Sequence, residues 1–403
     1  MGTKGLIRLL LLSFLLTAST AWSAELHGKS STQLLWFSDF NSGRQVDLAE
    51  YLRLSVTNVD KDGKVAIYGY GRGTQDLNNG EGGNGRLYFL YVDYRDLFDK
   101  LNVKLGRKFV NLSAGSAIID GAQVDTKPIG PVALTVLGGR DVAFGIDGEL
   151  GHEGNYDLGM AAYLTGFKKT DLDVSWLRKW DAGDVSRDIM GASAKQYLLD
   201  SVKLYGNARY DLTAEVFNEV LGGVKYFPTG KLVLTGEWYQ SYPTFDTVSI
   251  FSVFAVNRYQ EAVFRADYFM SEKFALHGGY TRQDFGDDGN GDVYEAGCML
   301  RPFDPVTVNL SYDKSHSVDG SLDGGIFDVT YDLNKELQLA GGLTYDVYQR
   351  DNMTNDKTAQ KYWLGGKYRL AKNMQASLRV EDDVNTSYRS SNVQGRFIFD
   401  YEF

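Results

Sequence analysis

Few residues in this sequence have the types and spacing that catalysis or metal binding demands. Cysteine occurs once, at Cys298. The chain therefore has no disulfide framework and no C-x-x-C-H motif for covalent haem attachment. The four histidines, His27, His152, His277 and His316, are scattered without metal-ligand spacing. Asp287-Asp-Gly-Asn-Gly-Asp292 offers the oxygen ligands that Ca²⁺ takes. It lacks the spacing and terminal bidentate Glu of an EF-hand, and reads as a solvated loop. Ser315 beside His316 is not a catalytic pair, because triad partners meet in space, and no G-x-S-x-G occurs. The sequence predicts no enzyme, no metal and no cofactor held by this chain.

The charges that remain recur at every second position. Lys203, Arg209 and Asp211 interleave with Val202, Leu204, Ala208 and Tyr210, and Arg379 and Glu381 with Leu378 and Val380. Successive side chains of a strand point to opposite faces, so each such segment has one apolar and one polar face. In this register Arg53, Lys203, Arg209, Arg265, Lys367, Arg369, Arg379, Glu381 and Arg396 fall on the polar face. A β-sandwich also alternates, but it has no use for Lys, Arg and Glu on an inner face strand after strand. Inward charge implies a wet lumen, and these nine residues are the candidates to line it. Cys298 falls with Tyr294, Ala296 and Leu300 on the opposite, lipid-facing set.

The strands must close on themselves to hold such a lumen. Asn392–Phe403, N-V-Q-G-R-F-I-F-D-Y-E-F, places Val393, Phe397, Phe399, Tyr401 and Phe403 on one face and ends on an aromatic carboxyl terminus. It resembles the C-terminal signal strand of bacterial outer-membrane β-barrels. In that family the assembly machinery reads this strand, here Phe399, Tyr401 and Phe403, and the strand pairs with the first. Tight turns are expected at Asp60–Gly63, Leu97–Lys100, Lys127–Gly130, Phe167–Thr170, Leu198–Ser201 and Phe227–Gly230. Four more follow at Met270–Lys273, Pro302–Pro305, Leu333–Glu336 and Leu370–Asn373. Between them lie looser segments such as Leu77–Gly85, Asp181–Asp188, Gly286–Gly291 and Asp351–Ala359. Short periplasmic turns alternating with longer outer loops are a barrel signature. The reading is an all-β, antiparallel, up-and-down barrel of about 22 strands (18–22), occupying residues 24–403 with no plug domain. The stretch Leu101 to Gly166 alternates poorly and leaves the lower counts open.

Composition agrees. There are 45 Gly, 26 Tyr and 22 Phe but only 6 Pro. Beyond residue 24 no run approaches the ~18 apolar residues of a membrane helix. The net charge of −10 gives no basic patch for nucleic acid. Residues 1–23, with Lys4 and Arg8 beside a short leucine run and small residues before Ala24, read as a signal peptide cut after Ser23. At ~4.8 Å between strands and a tilt near ~40°, such a barrel has a backbone diameter of roughly 40–45 Å, too wide for side chains to fill. The loop Pro243–Asn257 is expected to narrow it.

Four stretches resemble the porin-like barrel subunits of porin–cytochrome conduits in metal-respiring bacteria. They are Ser31–Phe40, Gly106–Gly121 (G-R-K-F-V-N-L-S-A-G-S-A-I-I-D-G), Glu237–Asp246 and Leu339–Asp351. The motif L-G-R-x-F followed by I-D-G is shared with other outer-membrane channels. The resemblance implies a barrel that sheathes a multihaem c-type cytochrome and carries trans-outer-membrane electron transfer. Periplasmic and extracellular cytochromes would then be partners, beside outer-membrane lipid and the assembly machinery, and any haem would belong to a partner. The second reading is a passive diffusion porin for small hydrophilic solutes, with Pro243–Asn257 as its constriction; the missing plug and the resemblance favour the sheath.

Overall fold

A strand with one apolar and one polar side satisfies its backbone groups only by pairing on both edges, and in hydrocarbon that requires closure. The computed structural model describes residues 24–38, 43–78, 83–145, 149–150, 153–244, 258–317, 320–350, 357–386 and 390–403. The expected signal peptide, residues 245–257 of the expected constriction loop, and His152 lie outside the described residues.

The strands are β1 (Glu25–Ser38), β2 (Arg44–Thr57), β3 (Val65–Asp76), β4 (Asn84–Leu97), β5 (Leu101–Leu112), β6 (Gly115–Thr126) and β7 (Val132–Asp141). A two-residue pair, β8 (Ala143–Phe144) and β9 (Glu149–Leu150), sits in the next connection. Then come β10 (Tyr156–Phe167), β11 (Thr170–Asp181), β12 (Asp184–Leu198), β13 (Val202–Asp211), β14 (Val216–Thr229) and β15 (Leu232–Ser241). The chain ends with β16 (Tyr259–Ser271), β17 (Phe274–Asp284), β18 (Asn290–Phe303), β19 (Val306–Ser317), β20 (Gly320–Asp332), β21 (Leu337–Arg350), β22 (Lys357–Ala371), β23 (Met374–Asn385) and β24 (Ser390–Glu402). All except β8 and β9 form one 22-stranded sheet, and each pairs antiparallel with its neighbours. The higher of the expected strand counts is the correct one. No plug is present among the described residues.

The seam between β1 and β24 runs from Lys29↔Glu402 to Trp36↔Gly395. The Phe403 carbonyl accepts from Gly28 N–H at 2.7 Å, and Phe403 N–H donates to the Gly28 carbonyl at 3.0 Å. Two glycines make room for aromatic rings here. A Cβ on Gly28 would lie 2.4 Å from the Phe403 ring, and one on Gly395 2.1 Å from the Trp36 ring. The aromatic end of the chain therefore closes the cylinder.

All ten expected tight turns join consecutive strands at one end. Asp181–Asp188, expected as a loose segment, is instead strand almost throughout. β11 and β12 pair up to Asp181↔Asp184, and only Ala182 and Gly183 turn, with φ of 50° and 92°. Two adjacent positive-φ residues suit the right-handed twist of a two-residue hairpin. Its charges are used locally: Trp176 Nε1 donates to Asp188 at 2.6 Å, and Arg178 pairs with the same carboxylate.

One sheet face carries Leu105, Phe264, Tyr294 and Leu364, all more than half exposed. A water-soluble fold would not present such a band, whereas lipid accommodates it. Cys298 is on this face, between Leu276 and Leu310 in the ladder. The opposite face must be the inside, because only there do strands far apart in the ladder touch.

Candidate functional site in the barrel lumen

Those contacts come from one element. β5 pairs with β4 only from Leu97↔Leu101 to Leu90↔Arg107. β6 pairs with β7 only from Asp125↔Thr135 to Ile119↔Asp141. Beyond these points β5 and β6 pair only with each other, from Lys108↔Ile119 to Leu112↔Gly115. The tip of this hairpin has left the wall and folded inward.

Local sequence explains the departure. Gly106, Gly121 and Gly139 face one another across β5, β6 and β7. Gly106 has φ of 122°, and a Cβ on it would lie 2.4 Å from the Leu90 carbonyl oxygen. A Cβ on Gly121 would lie 2.1 Å from the Gly138 carbonyl oxygen. No larger residue fits this hinge without moving backbone.

The tip lies on the inner wall of β10 to β13. Ser113 Oγ donates to Asp173 Oδ1 at 2.5 Å and lies 2.7 Å from Ser175 Oγ, which accepts from Ala114 N–H at 2.8 Å. Arg209 Nε, five ladder steps beyond β6, donates to the Ser113 carbonyl at 2.9 Å. Backbone replaces side chain at the closest approach: a Cβ on Gly191 would lie 2.1 Å from Ala114 N. Beneath the hairpin Val110, Leu112, Ala117 and Ile119 bury against Leu137 and Ala161, and Ala114 against Leu177 and Ile189. At ~1.5–3 kcal/mol per fully buried large aliphatic side chain, Val110, Leu112 and Ile119 alone favour the seated tip by roughly 4–9 kcal/mol. The other face of the tip, with Phe109 57% exposed beside Asn111 and Ser116, looks away from the wall.

The β8–β9 pair occupies the notch the hairpin leaves. Arg86 Nη2 donates to the Gly145 carbonyl at 2.7 Å, and Phe144 meets Tyr88 edge-on at 5.8 Å. Arg107 joins Asp120 at 2.7 Å and Glu149 at 3.0 Å.

All nine residues expected on the polar face share the face that the hairpin covers. They are not gathered into one cluster. Arg53 lies between Lys29 and Tyr70. Lys203 stands directly opposite Lys225 and over the Tyr205 ring at 5.4 Å. Arg209 pairs with Glu219 at 2.8 Å and Arg265 with Glu295 at 3.9 Å. Arg379 lies 4.3 Å above the Trp363 ring and 3.1 Å from Glu381, directly opposite Arg396. Among the described residues Arg53, Lys203, Lys367, Arg369 and Arg396 form no ion pair. Sequence reading missed Ser113, Asp173, Ser175 and the buried apolar set under them. The available signal was the poor alternation after Leu101: Val110, Leu112, Ala117 and Ile119 are apolar where other strands carry lumen charge.

The other candidates do not assemble. Ser315 and His316 point to opposite faces of β19. His27 lies 3.6 Å from Glu25, and His277 sits over Gly297. In the acidic loop Asp292 accepts from Tyr280 and pairs with Arg282 at 2.6 Å.

No family model matches this sequence, and no curated protein matches it. Among solved structures, a mutant of the ferric enterobactin receptor PfeA from Pseudomonas aeruginosa is 11% identical with a TM-score of 0.63, over 95% of this chain and 81% of the receptor. The P pilus usher PapC translocation pore is 10% identical with a TM-score of 0.52, over 94% and 99% of the two chains. A BenF-like porin from Pseudomonas fluorescens is 12% identical with a TM-score of 0.47, over 94% and 98%. At such identities the likeness is one of fold, that of a large outer-membrane-type β-barrel.

Proposed function

We propose that this protein is a passive diffusion porin for small hydrophilic solutes in the bacterial outer membrane. The observation that carries this reading is the lumen: a charged, polar wall around a wide cylinder, obstructed among the described residues by one thin hairpin. The lipid-facing band would place it in the membrane, and the machinery would read Phe399, Tyr401 and Phe403. A polar wall with both signs of charge passes hydrated solutes and tunes selectivity. The sheath role, with multihaem cytochrome partners, rests on the sequence resemblance and on the width of a barrel with no plug among its described residues.

Planar-bilayer recording and sugar permeation into liposomes test the proposal. The purified, haem-free chain should give steady conductance and let small sugars through. An electrically silent barrel would overturn it. So would a haem-staining complex from the native host whose partner suppresses the leak and passes electrons to an enclosed dye; that result would establish the sheath.

A further inference from the structure

Where β1, β23 and β24 meet, the inner wall contains a cavity of about 260 Å³ lined by Leu35, Phe37, Arg379, Glu381, Gln394 and Arg396. Ligand pockets for drug-sized molecules begin near ~300 Å³, so an occupant must be smaller. Its electrostatics are unbalanced. Arg379 and Arg396 are direct cross-strand partners, and like charges so placed repel. One carboxylate, Glu381, contacts Arg379 at 3.1 Å, and Gln394 donates to that carboxylate at 2.9 Å. Arg396 is exposed to the lumen and forms no ion pair among the described residues.

Arg379 is held rigidly. The Trp363 indole N–H donates to Asp328 at 3.2 Å, and the ring then supports the guanidinium at 4.3 Å. One guanidinium is thus oriented on an aromatic face while its neighbour retains its donor fork. Leu35 is the cross-strand partner of Arg396, and Phe37 follows on the same face. A fork of this kind matches a carboxylate in bidentate geometry, and the apolar side chains suit a short hydrocarbon body.

The geometry points to a binding site for a small organic monocarboxylate, with Arg396 as its principal contact, Arg379 as its second, and Leu35 and Phe37 against its apolar body. An anion there relieves the Arg379–Arg396 repulsion, which an uncharged solute cannot do. The site deepens the porin reading by naming a solute class, but binding can be measured without transport.

The test is calorimetric titration of the full barrel in detergent with benzoate, using benzyl alcohol and benzylamine as probes of the same body without the anion. Benzoate should bind saturably and the other two should not. Arg396→Gln should weaken benzoate about tenfold or more, the effect of losing a charge-assisted contact, while Arg301→Gln outside the cavity should leave it unchanged. Heat-modifiability checks that each variant remains a barrel. Equal binding of benzyl alcohol, unchanged binding in Arg396→Gln, or no saturable benzoate binding each overturns the site. If the bilayer conductance is present but benzoate does not bind, the site fails and the porin stands. If benzoate binds to an electrically silent barrel, the porin fails and the site stands.

Discussion

Excising the folded hairpin would show whether it obstructs the lumen. Residues 108–118 pair only with one another or with Ile119. Joining Arg107 to Asp120 through Asn-Gly therefore removes a single wall pair, Ile119↔Asp141, and with it the bond from Val142 N–H to the Ile118 carbonyl. The excision bares Leu137, Leu177 and Ile189, each worth ~1.5–3 kcal/mol when buried, so these become Ser in the same variant. A backbone diameter of roughly 40–45 Å, less inward side chains, leaves a free width of about 30 Å, or about 700 Å². Each arm of the tip has five residues at ~3.4 Å, about 17 Å in length, and the pair is about 10 Å across. The tip then covers about 170 Å², close to a quarter of the opening. Conductance through the narrowest section should rise by roughly a third, with larger sugars admitted to liposomes. A heat-modifiable variant whose conductance and size limit match the parent would refute the obstruction.

The tip's seat can be checked by Ser113→Cys with Ser175→Cys in a Cys298→Ser background, since the two hydroxyls lie 2.7 Å apart. Mild oxidation of intact membranes should cross-link them, and a failure to do so would place the tip elsewhere. Gly28→Leu, or loss of Phe403, should abolish the heat-modifiable form and lead to periplasmic degradation, because the ring and the new side chain claim the same space. Normal membrane levels of either variant would count against the seam. Tags at 78–85, 286–291 or 352–357 should be reachable on intact cells and those at 60–63 or 335–336 should not; the reverse pattern inverts the orientation.

Strand number, register and face were legible because the barrel is built on a period of two, and eight of its ten tight turns contain Gly, Asn, Asp or Pro, the exceptions being Phe167–Thr170 and Met270–Lys273. Arg396 and Phe397 need only their neighbours' identity to be assigned opposite faces. The inward hairpin was not legible. Its strands alternate poorly, because Val110, Leu112 and Ile119 occupy lumen-parity positions with apolar groups, a pattern that looks like weak strand rather than a second layer. The contacts that explain it, Ser113 to Ser175 and Arg209, span 62 and 96 residues. Asp181–Asp188 failed differently: expected as a loose segment, it is strand on both sides of a two-residue turn, and Trp176 hydrogen-bonds Asp188 while Arg178 neutralises it.

The hairpin also shows how a plugless barrel of this width can be narrowed. Lifting the ends of two strands out of a wall leaves N–H and C=O groups of their neighbours without ladder partners, at several kcal/mol each if they face hydrocarbon. The chain limits that cost in three ways. The hinge lies at Gly106 and Gly121, at the middle of each strand, so only the outer halves detach. Arg107 donates to the Leu87 carbonyl of β4 at 3.2 Å and is itself held by Glu149 of β9, while the Gly145 carbonyl beside β8 holds Arg86. The roughly 4–9 kcal/mol of apolar burial beneath the tip offsets what remains. Hinge, arginine and buried face therefore act together: the hinge limits how much strand leaves the wall, Arg107 meets a carbonyl it leaves behind, and the buried face holds the tip in its seat.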